Sequence, residues 1–574
     1  MRAWQMRVPT LSWLVLGTSV VLGVALHLAW LYRFRLGYVT EWDESGYMAI
    51  ALNDTNALRS DGLPGLLSAV EHQSSEAPLV PLVTVPMHLV FGSGIAQSLL
   101  ILLIFFAVLV LATYGLARCV STPGWAALAA LSVAAMPGVT DYTRLYHFAV
   151  PAAALLTAAL WAQLRSDGFE RGNGSAVWGI FIGLMLLART MTVAYLPGFA
   201  LAAIVQVLAR CGARRQRTIN LGLGTVIAIA VVSVWYLQNG KGVASYLIHS
   251  GYGAQAASYG AGSSIMSWRF WTKELALMLD SLYLPLAGLI GLCFLAALFL
   301  HRPRPASERS WRTLLRSWAN QDIFVLIVVV VEGYLVLTSS RNEGTAFSLP
   351  WLPALVVLAV VAAANVRLPS VRVVLAVLFV LVSMGDLLSK SGFVPLLATP
   401  RSVALPSVGQ TTVTDGRGII QLQVLAAGYP TGSPTTPLPR LQRQWLPFFH
   451  LVTGWIVHYA DAHRQRPVVL FGSGDLLFND TRIELAAALW YRRSLQGGFL
   501  KPYSGGNGAQ SYRAQMSSAR NNFLVTADRA PREDLLITRS TVEEAARSLN
   551  FIPVKAFTLP DGRRGWLWWR TNRT

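Results

Sequence analysis

The chain has 574 residues, 54% hydrophobic and only 13% charged, with 47 Lys plus Arg against 28 Asp plus Glu and a formal net charge of +19. Its mean hydropathy is +0.47, whereas a soluble domain is roughly a quarter charged. The composition excludes a wholly soluble enzyme, a disordered chain and a secreted disulfide scaffold. Cys119, Cys211 and Cys293 offer no CxxC or Cys/His ligand spacing.

A bilayer core of about 30 Å takes about 20 apolar residues per helix. That ruler predicts eleven spans near residues 11–32, 95–117, 124–140, 147–163, 175–188, 191–209, 219–237, 275–300, 321–338, 349–366 and 372–388. The expected fold class is a polytopic α-helical membrane protein. The first span follows Arg2 and Arg7 as a signal peptide would, but it is too long for one and lacks a small-residue cleavage site, so it reads as an uncleaved span. Arginines such as Arg118, Arg165, Arg171, Arg210 and Arg214 gather in alternate loops, and Glu41, Asp43, Glu44, Asp54, Asp61, Glu71, Glu76 and Asp141 gather in the others. Both biases place the N-terminus in the cytoplasm. The positive charge is therefore topological, and no nucleic-acid partner is expected.

The first outer loop, residues 33–94, is the most informative. It opens E41-W-D-E-S-G-Y47, with the carboxylates Glu41, Asp43 and Glu44 crowded at the membrane surface. Like charges so close raise one another's pKa. Such a cluster suits a metal, a cationic ligand or a proton in transit, and one member can act as general base toward an acceptor hydroxyl; the plain alternative is a solvated loop that enforces topology. Residues 47–67 have the spacing of an interfacial helix, broken at Gly62, Pro64 and Gly65. E76-A-P-L-V-P81 then leads back to the membrane. Between spans three and four stand Asp141, Arg144 and His147, with a helix cap as the plain reading of Asp141. The fifth span ends on Arg189, suited to fork onto a phosphate or simply to snorkel. The Gly/Ser/Tyr-rich segment 238–273 comes after W235-Y-L-Q-N239-G, holds Lys241 and His249, and is expected to be a mobile loop. Arg341 lies outside between spans nine and ten.

Residues 389–574 form the second expected domain, after a transmembrane domain of residues 1–388. An odd number of spans leaves it extracytoplasmic, and its pattern is α/β. Strands are expected at Val468 to Phe471, Phe523 to Thr526, Phe551 to Leu559 and Trp566 to Trp569, and helices at Thr481 to Arg493 and Val542 to Leu549. The apolar stretch Trp445 to Tyr459 reads as a core helix rather than a span. Phe471-Gly472-Ser473-Gly474 lacks both the third glycine of a dinucleotide fingerprint and the Lys-Ser/Thr of a P-loop. Trp566, Trp568 and Trp569 suit either a sugar platform or a strand core.

The order of these features, an acidic pair after span one, interfacial helices and a Pro-Leu return, resembles the GT-C superfamily of polyprenyl-phosphate-sugar glycosyltransferases. The nearer branch is that of protein O-mannosyltransferases and lipid A aminoarabinose transferases. The resemblance implies a GT-C-like fold and transfer of a hexosyl or pentosyl group from a polyprenyl-phosphate donor to a glycan, lipid or protein acceptor on the outer face. It implies an inverting mechanism with Asp43 as base, Glu44 second and Asp141 as a further acid. Glu76, Arg144, His147, Arg189, Asn239, Lys241, His249 and Arg341 become the substrate-binding candidates. Ala77 stands where aminoarabinose-type relatives often carry a lysine, so one phosphate contact is missing. Glu76 with His249 supplies only two ligands where a metal site needs three or four, so no obligatory metal is expected. The short loops and cysteine-free outer domain suggest a bacterial inner membrane. The alternatives are a lipid or polysaccharide flippase and a non-catalytic envelope scaffold.

Overall fold

The computed structural model describes residues 2–571 apart from 72–75, 211, 254–255, 257–265, 301–321, 343, 345, 432, 437, 473–474, 502–507, 519 and 531–536. Helix α1 (Arg2–Trp30) runs into a π-helical turn, Leu31–Arg35. Next come α2 (Trp42–Glu71), α3 (Leu79–Phe91), α4 (Ile95–Val120), α5 (Pro123–Ala135), α6 (Pro137–Thr143), α7 (Ala149–Arg165) and α8 (Gly172–Ala188). After these come α9 (Leu196–Ala209), α10 (Arg214–Gly251), α11 (Trp268–Leu300), α12 (Asp322–Ser339), α13 (Leu352–Ala364) and α14 (Pro369–Ser391).

Each of the eleven expected spans is helical, but not all are long enough to cross a bilayer alone. Among the described residues seven helices are long and apolar enough, or eight when the pair α5 and α6, bent by 55°, is counted as one broken span. The bend has a local cause: Pro137 disfavours helical backbone at the residue before it, and Met136 is accordingly extended at φ −54°, ψ 125°. The expected spans at 147–163, 175–188 and 349–366 are helices of 17, 17 and 13 residues. The chain is an integral, multi-pass membrane protein.

Two readings of the segments 33–94 and 238–273 are tested by the backbone. The break in the interfacial helix falls at Gly62, whose φ of 65° and ψ of −155° leave the helical region. The expected mobile loop at 238–273 is corrected: α10 continues through Asn239-Gly240-Lys241-Gly242 as far as Gly251. Val243 and Ser250 are buried along this extension, one face spaced for a helix, and packing outweighs the two glycines. Most of the segment between Gly251 and Ser267 lies outside the described residues.

The C-terminal region carries a hairpin of β1 (Arg401–Leu405) and β2 (Gly409–Thr414), then α15 (Ile419–Ala426) and α16 (Trp445–Ala462). Beyond them a five-stranded sheet is interleaved with helices: β3 (Val468–Phe471), α17 (Asp480–Ala486), β4 (Gln496–Phe499), α18 (Gly508–Met516), β5 (Phe523–Ala527), α19 (Arg539–Ser548), β6 (Phe551–Thr558) and β7 (Arg564–Arg570). Its order is β4-β3-β5-β7-β6, with β3 parallel to β4 and β5, and β7 antiparallel to β5 and β6. Strand alternation sends Trp568 and Trp569 to opposite faces. Trp569 joins Phe449, Val452 and Ile456 of α16 in one core, and Trp568 joins Val542 and Ala545 of α19 in the other. Both indoles are therefore core, and Trp566 lies under the Arg539 guanidinium at 3.4 Å. The hairpin and β4 had no clear sequence signal.

Candidate active site

The crowded acids at the start of α2 sort themselves by hydrogen bonding. Glu41 Oε2 accepts the Glu44 N–H at 2.9 Å and Glu44 Oε2 accepts the Glu41 N–H at 2.9 Å. This is a reciprocal capping box, which satisfies two of the orphan donors of the first helical turn. Glu44 is fully buried; it also pairs with Arg35 at 2.5 Å and accepts the Tyr146 N–H at 3.1 Å. Glu41 takes a further bond from Gln423 Nε2 at 3.1 Å. Asp43, between them, has neither a hydrogen bond nor an ion pair among the described residues, and its side chain is open to solvent.

Asp43 sits in a recess with charged and aromatic company. Its strongest electrostatic partner is Arg189, which favours the ionised carboxylate, while the walls of the recess displace bulk water and raise its carboxyl above the ordinary value. Glu76 shares the site: burial and then the charge of Asp43 push its carboxyl up to about 7, and Arg189 opposes the shift. Glu76 also has no hydrogen-bond partner among the described residues. Tyr47, one helical turn beyond Asp43, feels Glu76, Asp43 and Arg189 together. Its ring stacks on Phe148 at 4.2 Å and meets His147 edge-on at 5.5 Å.

His147 is held neutral, well below its ordinary pKa, first by burial and then by Arg189. Its Nδ1 accepts the Ala149 N–H at 3.1 Å, so the ring proton belongs on Nε2. Arg189 caps the end of α8 in extended backbone and is 9% exposed. Its Nη1 donates to Ala346 O at 3.0 Å and its guanidinium lies 5.1 Å from the Phe347 ring centroid. Its other N–H groups have no acceptor among the described residues, which leaves a fork for an anion.

The remaining candidates lie elsewhere. Asp141 pairs with Lys390 at 2.7 Å, and Lys390 also donates to Arg417 O at 2.9 Å and Tyr283 Oη at 3.1 Å. Arg144 donates to Lys390 O at 2.6 Å and His27 Nδ1 at 3.2 Å, over Trp30. Asn239 bonds back to Trp235 O at 3.2 Å, and Lys241 and His249 are exposed on α10, with His249 Nδ1 against Ser245 O. Arg341 is exposed, tied by its N–H to Gly251 O at 2.8 Å. Among the described residues no group of three His, Cys, Asp or Glu side chains is placed to hold a metal. Tyr47 and Lys390 were not singled out from the sequence. Tyr47 had a signal, four residues after Asp43, and Lys390 had one as a cation ending an apolar helix.

Residues 75–237 match the family model described as dolichyl-phosphate-mannose-protein mannosyltransferase. The fold is similar to that of ArnT from Cupriavidus metallidurans, with 16% identity over 96% of this chain and 97% of that one and a TM-score of 0.53. The same protein bound to undecaprenyl phosphate gives 15% identity, equal coverage and a TM-score of 0.52. The archaeal oligosaccharyltransferase AglB from Archaeoglobus fulgidus, in complex with an inhibitory peptide and a dolichol-phosphate, gives 11% identity over 97% of this chain and 74% of that one, with a TM-score of 0.53. The chain has the GT-C fold. No curated protein matches it. The matched segment contains Glu76, Asp141, Arg144, His147 and Arg189; Asp43 precedes it.

The Glu76 and Asp43 carboxylates repel one another, so the proton that the pair releases last is held above the ordinary carboxylate range. With Asp43 as base, turnover is expected to fall on the acid side at a pH above the ordinary aspartate range, because burial raises its carboxyl against the opposing charge of Arg189. A pH–rate profile checks it; a limb at the ordinary aspartate value contradicts the role of burial.

Proposed function

We propose that this chain is a membrane glycosyltransferase that takes a sugar from a polyprenyl-phosphate donor and passes it to a hydroxyl of a glycan, lipid or protein on the outer face of a bacterial inner membrane. The observation that carries the reading is the unengaged Asp43 carboxylate in the recess of Arg189, beside two acids consumed by capping. The ArnT structure with undecaprenyl phosphate and the AglB structure with dolichol-phosphate support a lipid-phosphate ligand.

In the proposed reaction the acceptor oxygen attacks the anomeric carbon as its proton passes to Asp43. The bond from that carbon to the phosphate oxygen breaks, its electron pair leaves with the lipid phosphate, and the configuration inverts. The leaving phosphate gains negative charge, and the free N–H groups of Arg189 stabilise it. His147 Nε2–H offers a neutral donor in the same recess. No metal is required, because the cation beside the leaving group is a guanidinium.

Membranes carrying the chain, supplied with a labelled polyprenyl-phosphate sugar, test the reading. Label is expected to reach an acceptor with chelator present. Arg189→Gln is expected to lower transfer on the order of 100- to 1,000-fold, as for loss of one donor to a developing anion. No acceptor label from the wild type, or full activity in Arg189→Gln, would overturn the proposal.

A further inference from the structure

We infer that Arg482, on α17 of the C-terminal domain, is a positioning residue that fixes the helical turn bearing Asp43; this rests on the reading of Asp43 as base. Three consecutive residues before Asp43 are each held by that domain. Thr40 O accepts two bonds from Arg482, from Nε at 2.9 Å and from Nη2 at 2.5 Å. Glu41 Oε1 accepts from Gln423, and Trp42 O accepts from Thr481 Oγ1 at 2.9 Å. The Trp42 ring meets Phe499 of β4 edge-on at 5.6 Å.

The choice of an arginine here is costly unless it serves geometry. Arg482 is 2% exposed, and its direct acceptors are uncharged: the carbonyls of Thr40 and Leu476 and the Gln423 amide oxygen. Burying a guanidinium on uncharged acceptors is poorly compensated. Burial draws it down to about 10, and the more distant charges of Glu41, Asp475 and Glu44 hold it up, so it stays protonated. What the fork supplies is direction, because two N–H groups converging on one carbonyl fix that peptide plane. The plane of Thr40 precedes the Glu41 cap, and the cap sets where Asp43 points. The outer domain thereby becomes part of the catalytic apparatus without touching substrate.

The test uses the full chain in membranes with a labelled polyprenyl-phosphate sugar, counting donor sites per protein and measuring kcat. Arg482→Gln is expected to keep wild-type donor sites and donor affinity while kcat falls on the order of 100-fold, the scale of a small misplacement of reacting groups. Arg482→Lys, which reaches the carbonyl without the fork, is expected to recover part of that loss. Arg493→Gln, in an exposed ion pair of the same domain, is expected to keep the wild-type rate. Asp43→Asn runs alongside. Wild-type kcat in Arg482→Gln with Asp43→Asn inactive overturns the positioning role and leaves the base standing; an active Asp43→Asn overturns the base itself. Should Arg482→Gln lose donor sites, Thr481→Val decides: a several-fold lower kcat at full donor sites supports the role, and an unchanged kcat overturns it.

Discussion

Asp43→Asn is expected to lower sugar transfer by about 100- to 10,000-fold, the range for loss of a general base, while the lipid-phosphate donor still binds. Asparagine keeps the shape of the side chain but cannot take the acceptor proton. No neighbour replaces it readily: Glu41 and Glu44 spend their oxygens on backbone N–H groups, Gln423 and Arg35. Donor binding survives because the guanidinium of Arg189 is anchored independently on Ala346 and Phe347. Glu44→Gln contrasts with it, since it strands the buried Arg35 and acts on folding before chemistry. Transfer by Asp43→Asn within a few-fold of wild type, at equal amounts in the membrane, contradicts the assignment.

Lys390→Met carries the largest expected effect on stability. The Lys390 side chain is inaccessible to solvent and joins α6 through Asp141, α11 through Tyr283, and the C-terminal region between β2 and α15 through Arg417. Methionine fills much of the volume but leaves the largely buried Asp141 without its paired cation, and Asp141 Oδ1 has no hydrogen-bond partner among the described residues even in the intact network. Breaking a buried pair from one side costs about 3–5 kcal/mol. Replacing both sides, Lys390→Met with Asp141→Asn, is expected to return much of this, because no stranded charge remains. Thermal unfolding of the full chain in detergent reads both. A single variant as stable as wild type would show that the network holds nothing together.

The membrane helices were legible because hydropathy alone finds them, and the sheet strands at Val468, Phe523 and Trp566 were legible as apolar runs between turn residues. Span length was less so: Pro137 breaks the third segment, and α7, α8 and α13 are short helices. Asn239-Gly240-Lys241-Gly242 misled because glycine propensity is weak against a buried helical face. In the site, Glu41 and Glu44 stand three apart, the spacing of a capping box, and that spacing distinguishes them from Asp43. Asp141 read equally well as a site acid or a helix cap and Arg144 as a substrate-binding residue, and the structure ties both to Lys390. Arg482 had no signal, because its partner Thr40 is 442 positions away in the chain.

The most direct test supplies the full chain, in its membrane, with a polyprenyl-phosphate sugar of defined anomeric configuration labelled at the anomeric carbon, and reads the configuration of the new glycosidic bond. Asp43 acting as base, with no covalent intermediate, gives a product of opposite configuration. A product that keeps the donor's configuration, or no labelled glycoside at all, contradicts the account.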